Sequence, residues 1–282
     1  MSFLRFISSE MQRPTNYGWF HLLFLGLVIG FTVLICMLYK NCREKTFRRI
    51  ILIGWILIFL FELYKQIVFS YSTSKDLAVW DYQWYAFPYQ MCSSSLYLLP
   101  IVIFVKDCKF RDAIISYLSV FVLFAGICVM IYPNDVFVNM IGINLQTMIH
   151  HGLQVVFGVF FIVYNRKKWN LKYFLSGVVV LGVMIVSALL LNLIVPIFVK
   201  DETFNMFYIS PYFDCTLPLL SGIYNKVPYL VFLLIYAIGF ALAGLLVWGV
   251  AYYIINFAMV NNFVKNKFME IKGKIQKSKK NE

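Results

Sequence analysis

A chain of 282 residues that is 61% hydrophobic and 13% charged, with a mean hydropathy of +0.77, is no ordinary soluble domain, for which about 45–50% apolar and about 25% charged residues are usual. Its formal charge of +12 would suit nucleic acid, but the cations gather in alternate loops between apolar stretches rather than on one face, so nucleic acid is excluded as the expected partner. The composition points instead to an all-α, polytopic integral membrane protein.

A spanning helix needs about 20 mainly apolar residues, because each adds about 1.5 Å toward crossing about 30 Å of hydrocarbon. Seven such spans are predicted, at 17–39, 50–71, 87–105, 113–132, 144–164, 173–199 and 228–256. The loops are short, so one helical bundle over 17–256 is expected, with an interfacial amphipathic segment over 1–16, a basic tail over 257–282 and no soluble enzyme domain attached. In the first segment Phe3, Leu4, Phe6, Ile7 and Met11 share one side of a short helix suited to the interface. Arg5 and Arg13 ahead of span 1 mimic a signal peptide. The apolar run outlasts the usual signal core, however, and no small-residue cleavage site follows, so span 1 reads as a retained helix.

Charge fixes the expected orientation. Of the 25 Lys and Arg residues, nineteen fall in the loops after spans 1, 3 and 5 and in the tail, five fall on the other side, and Lys65 lies inside span 2. Cationic loops stay in the cytoplasm, so the amino terminus is expected outside and the carboxyl terminus inside a cell membrane. In the tail, Val260, Phe263, Val264, Phe268, Ile271 and Ile275 recur at near-helical spacing among lysines, the pattern of a segment lying on the anionic cytoplasmic leaflet.

Polar residues concentrate in the outer halves of the spans, and the cytoplasmic halves look nearly devoid of polar lining. In chain order they are His21 in span 1, Glu62, Lys65 and Gln66 in span 2, Gln90, Cys92 and Ser93–Ser95 in span 3, Thr147, His150, His151 and Gln154 in span 5, and Asn192 in span 6. Trp80, Tyr82, Trp84, Tyr85 and Tyr89 read as an interfacial aromatic belt. With span 3 starting at Phe87–Pro88, Cys92 is expected roughly 6–8 Å deep, and the histidine pair roughly 9–11 Å deep, at 1.5 Å per residue. Ionisable groups at such depth are costly unless they meet partners, water or a substrate. Adjacent histidines point about 100° apart, so at most one escapes to lipid easily.

Six cysteines occur without metal-ligand spacing, and no metal or other cofactor is expected. Cys36, Cys42 and Cys108 fall near the reducing side; Cys92, Cys128 and Cys215 fall toward the outside, where a disulfide is open to them. A thiol and an imidazole at matching depth can run acyl transfer: the thiolate attacks, and the imidazole takes and returns its proton. Pro88, read as the first helical residue, would set Cys92 near the positive end of its helix. Gln90 or the serines would donate to an oxyanion. Two further classes fit the same residues. One is a proton-coupled carrier using Glu62, Lys65 and the histidines; the other is a non-catalytic assembly or sensor protein.

The run Trp84-Tyr85-Ala86-Phe87-Pro88-Tyr89-Gln90-Met91-Cys92, followed by Leu99-Pro100, resembles the Pro-x-His-x-Cys segment of the YwaF-like integral membrane proteins of bacteria. Tyr132-Pro133-Asn134 and His151-Gly152 resemble that family's Tyr/Thr-Pro-Asp and Ser-His-Gly segments, and His21-Leu22-Leu23, Glu62 and Asn205-Met206-Phe207-Tyr208 are weaker matches. The family is similar to eukaryotic transmembrane lipid acyltransferases with a membrane-embedded Cys and His. The resemblance implies a Cys92 nucleophile forming an acyl-thioester and a His base, His151 favoured over His150, with a phospholipid or lysophospholipid as substrate and a lysophospholipid or water accepting the acyl group. Two positions depart from it: Gln90 stands where the family carries a second His, and His150 stands where Ser is common.

Overall fold

The computed structural model describes residues 6–74, 77–199 and 202–257. The basic tail from 258 onward, and Phe3 and Leu4 of the first segment, lie outside the described residues. Among the described residues, six helices are long and apolar enough to cross a membrane: α1 (Trp19–Tyr39), α2 (Glu44–Ser70), α4 (Lys109–Ile131), α5 (Ile141–Tyr164), α6 (Leu171–Phe198) and α7 (Tyr229–Ile255). Between α2 and α4 lies the shorter α3, Ser94–Phe104, of 11 residues. A β-hairpin, β1 (Tyr71–Ser74) with β2 (Leu77–Trp80), caps the end of α2 in antiparallel register.

The third predicted span is where structure and sequence part. Helix was expected from Phe87, with Pro88 as its first residue, but α3 begins only at Ser94. Upstream, Trp84–Ala86 form a single 3₁₀ turn and Met91–Ser93 a hydrogen-bonded turn. The segment still runs antiparallel along α2: Gln66 donates to the Ala86 carbonyl, Trp55 to Leu96, and Arg48 to both Ile103 and Val105. From Gln66 to Arg48 α2 advances about 27 Å at 1.5 Å per residue, so this stretch covers nearly a bilayer core with a broken helix. Non-helical backbone at such depth survives only where protein satisfies its polar groups. Side chains from α2 and α5 do so here.

α5 is the central helix, packed against α1, α2 and α4, with α6 on α4 and α7 on a π-helical turn of α4 at Leu118–Val122. Bilayer lipid is as apolar as leucine, so helices associate through close contact and small residues. Gly54 of α2 takes the Phe157 ring so closely that a Cβ there would lie 2.1 Å from it, and Gly158 of α5 takes Leu123 of α4 in the same way. The first segment is tied down rather than merely resting on the surface: Met11 N–H donates to Asn139, Ile141 N–H to Ser9, and the Tyr64 hydroxyl to Ile7. All six cysteines are free thiols.

Candidate functional site

The break before α3 leaves the Cys92 carbonyl outside any helical ladder, and three side chains converge on it. Gln154 Nε2 donates at 2.7 Å, Ser95 Oγ at 3.1 Å and His150 Nε2 at 3.2 Å. Gln154 and His150 sit one turn apart on α5, so they share a face. A carbonyl only accepts, so His150 carries its proton on Nε2 and keeps the lone pair on Nδ1. That Nδ1 is buried without a hydrogen-bond partner, as is Gln154 Oε1.

His151 behaves differently. Its Nδ1 lies 2.8 Å from the Thr147 carbonyl one turn back, which makes Nδ1 its donor and directs the ring along α5. The two imidazole centroids are 5.3 Å apart. The structure thus brings Cys92, His150 and Gln154 together and leaves His151 one step round the helix. Ser93 is buried just before α3 and makes no side-chain cap bond. Ser94 Oγ donates to Met91 and meets the Tyr117 hydroxyl at 3.2 Å.

A second group joins from α2. Lys65 Nζ pairs with Glu62 Oε1 at 2.7 Å, and Gln66 Nε2 donates to the same oxygen at 2.7 Å while also holding Ala86. Both Glu62 and Lys65 act electrostatically on His151, and Lys65 on His150. Glu62 Oε2 and Gln66 Oε1 are buried without partners. With His150 Nδ1 and Gln154 Oε1 they make four orphaned acceptors. Buried acceptors seek a donor, from water or from a ligand.

The other predicted pocket residues hold the main chain. Tyr17 N–H donates to His21 Nδ1 at 2.8 Å, so the His21 proton is on Nε2, which donates to Met130 at 2.8 Å. Gln90 accepts from Phe207 N–H at 2.7 Å and donates to Asn205 at 2.9 Å. Asn192 accepts from Met206 N–H at 2.7 Å and donates to the Met206 carbonyl at 2.9 Å. These four bonds fix a buried turn in which Phe207 and Tyr208 both adopt φ of 57°. Such left-handed conformations persist in non-glycine residues only when the surroundings over-determine them. This turn is the contributor that residue-type reasoning did not single out; the run Asn205–Tyr208 was its one sequence signal.

Beside the polar group, Ser95 and Gln154 share with Ile58, Leu99, Leu118 and Phe157 the lining of a void of about 10 Å³, at the lower limit for one water. A larger apolar groove of about 280 Å³, between α1, α2 and α5, is lined by Val28, Phe31, Leu57, Ile149 and Gly152. It lies on the opposite side of α5 from His150 and Gln154, so it is not part of the site. A model of the TMEM164 family matches residues 16–263. No curated protein and no solved structure matches the chain.

Proposed function

The chain belongs to the TMEM164 family, a family of transmembrane proteins, and on that premise we propose that it transfers or hydrolyses a lipid acyl group through Cys92 in the outer-leaflet half of the bundle. The observation that carries this reading is the His150 Nδ1 lone pair, buried and unpartnered on a ring whose other nitrogen is hydrogen-bonded to the main-chain carbonyl of Cys92. In the first step Nδ1 takes the thiol proton as sulfur attacks the ester carbonyl carbon. The carbon–oxygen bond to glycerol breaks, and the departing oxygen takes the proton from the imidazolium. In the second step a lysophospholipid hydroxyl or water gives its proton to Nδ1 and attacks the thioester. The carbon–sulfur bond breaks and the thiolate is reprotonated. Protons and electrons balance without a cofactor. The four orphaned acceptors suit an incoming hydroxyl, which brings a donor.

The test is acylation of Cys92 in proteoliposomes containing an alkynyl-acyl phospholipid, read as a hydroxylamine-sensitive label. His150→Gln is the informative variant, since a glutamine amide still donates to the Cys92 carbonyl but offers no base. It is expected to load at least about 100-fold more slowly, the low end for general-base catalysis, at an unchanged melting temperature. Cys92→Ala should carry no label. Full loading of Cys92→Ala would sink the mechanism, and loss confined to His151→Gln would move the base to His151.

A further inference from the structure

At the opposite end of the bundle, where the cations gather, the α1–α2 turn, the start of α2, the α3–α4 turn and the turn Arg166–Lys168 enclose a cleft of about 360 Å³. Its floor is Arg111, only 2% exposed. Arg111 Nε donates to Val102 at 2.8 Å, Nη2 lies 2.6 Å from Glu44 Oε1, and the guanidinium covers the Phe47 ring at 5.5 Å. Glu44 also pairs with Arg48 at 2.7 Å and accepts from the Tyr164 hydroxyl at 3.1 Å. Asp107 is met by Lys168 at 3.1 Å. Both carboxylates of the lining are therefore neutralised from within.

The cations are neutralised only in part. Of the five that line the cleft, Arg111 and Lys168 are ion-paired, and Lys40, Arg166 and Lys167 form no ion pair among the described residues. Arg166 spends its N–H groups on the neutral Lys40 and Val163 carbonyls and on Asn41 Oδ1. Lys40 and Lys167 are exposed and form no ion pair among the described residues. Burial pulls the Lys168 ammonium down, but hydrogen bonds to Asp112 and Asp107 outweigh it, so its net shift is upward and it stays charged. The 27-residue α2 also starts here with no side-chain cap, adding the partial positive charge of its amino terminus. The cleft borders apolar surface: Met37 and Leu38, on the last turn of α1 beside Lys40, are 70% and 62% exposed.

We propose that this cleft binds a phosphate group, supplied by the anionic headgroup of a phospholipid in the leaflet at that end. The cationic surplus recognises the phosphate, and the adjoining apolar surface takes the chains. A soluble phosphate compound shares the first feature but has no use for the second. Basic pockets between membrane helices bind anionic headgroups in this way.

The experiment titrates the purified full chain in neutral detergent with dihexanoyl-phosphatidylglycerol, dihexanoyl-phosphatidylcholine or inorganic phosphate, following bound lipid by native mass spectrometry and phosphate by calorimetry. The phosphatidylglycerol is expected to bind more tightly than both. Removing one lysine charge should weaken it about fivefold, and Lys40→Gln with Lys167→Gln about 25-fold, as about 1 kcal/mol per basic residue implies. Lys109→Gln with Lys172→Gln removes the same charge from exposed positions outside the cleft lining and should change affinity less than twofold. Lys40→Arg with Lys167→Arg should retain binding, which separates charge from folding. Inorganic phosphate binding as tightly as the phosphatidylglycerol would assign the site to a soluble phosphate. Equal weakening by the two Gln pairs, or no preference for phosphatidylglycerol over phosphatidylcholine, would overturn the proposal.

Discussion

Asn192 is wholly buried and holds Met206 by both main-chain groups. The turn it holds contains Phe207 and Tyr208 at φ of 57°, a conformation costing about 1–3 kcal/mol per residue. Against that, the bonds from Asn192 and Gln90 contribute about 0.5–1.5 kcal/mol each. The two sides nearly cancel, so the turn is kept in place by burial of Phe204, Met206, Phe207 and Ile209. Asn192→Leu keeps roughly the same volume and leaves the Met206 N–H buried without a partner, at about 1–3 kcal/mol, while the Met206 carbonyl keeps only the Ile209 N–H at 3.3 Å. The segment escapes this cost by detaching, so the expected effect is local opening rather than global unfolding. Cys215, buried in the same loop, reports it. Maleimide labelling of Cys215, followed by peptide mass spectrometry, should run at least about 30-fold faster in Asn192→Leu, the factor equivalent to about 2 kcal/mol. A folded variant labelling within twofold of the wild type would refute the reasoning that these two bonds secure the turn.

Two further substitutions probe the site's supports. In Gly126→Ala the new Cβ would sit 2.9 Å from Gln154 Cβ and 3.1 Å from both Gln154 Oε1 and the His151 carbonyl. Overpacking of this kind costs about 1–3 kcal/mol, so the melting temperature should fall and Cys92 acylation with it; Gly182→Ala, with nothing within 4 Å, should change neither. Glu62→Gln removes the partner of a Lys65 side chain that is only 17% exposed, with an expected loss of about 3 kcal/mol, and adding Lys65→Met should restore most of it. Thermal unfolding of the four proteins in a double-mutant cycle measures this, and purely additive losses would show that the pair is not coupled.

The membrane class and the polar face of α5 were legible because both are written in local spacing: apolar runs of span length, and Thr147, His150, His151 and Gln154 three and four residues apart. Which histidine meets Cys92 was not legible, because it depends on how α5 is turned when Gly126 and Gly158 seat it against α4. The break in span 3 escaped for a related reason. Hydropathy cannot distinguish helix from an apolar turn whose backbone is satisfied from afar, and the partners of Gln90 and Cys92 lie 115, 62 and 58 residues away. Gln90 and Asn192 look like pocket donors in sequence because amides suit both roles; only a tertiary partner such as Met206 shows them to be clamps. Arg111 was counted as a loop cation, yet it is buried beneath Glu44, so the expected polar-poor interior at that end gives way to an ion-pair network at its edge.

The broken helix links these observations. Had α3 begun at Pro88, the carbonyl of Cys92 would have been spent within the helix and α5 would have had nothing polar to grip. Starting at Ser94 instead, it frees that carbonyl for three donors. Each donor commits one atom to Cys92, and for His150 and Gln154 the remaining atom is an acceptor facing no donor. The polarity of the guest follows from that surplus. A hydroxyl satisfies acceptors and gains hydrogen bonds. A carboxylate brings only more acceptors, and His150 Nδ1 and Gln154 Oε1 offer it no donor. The site should therefore discriminate by hydrogen-bond direction, taking hydroxyl acceptors such as a lysophospholipid or water and rejecting free fatty acids of the same chain length.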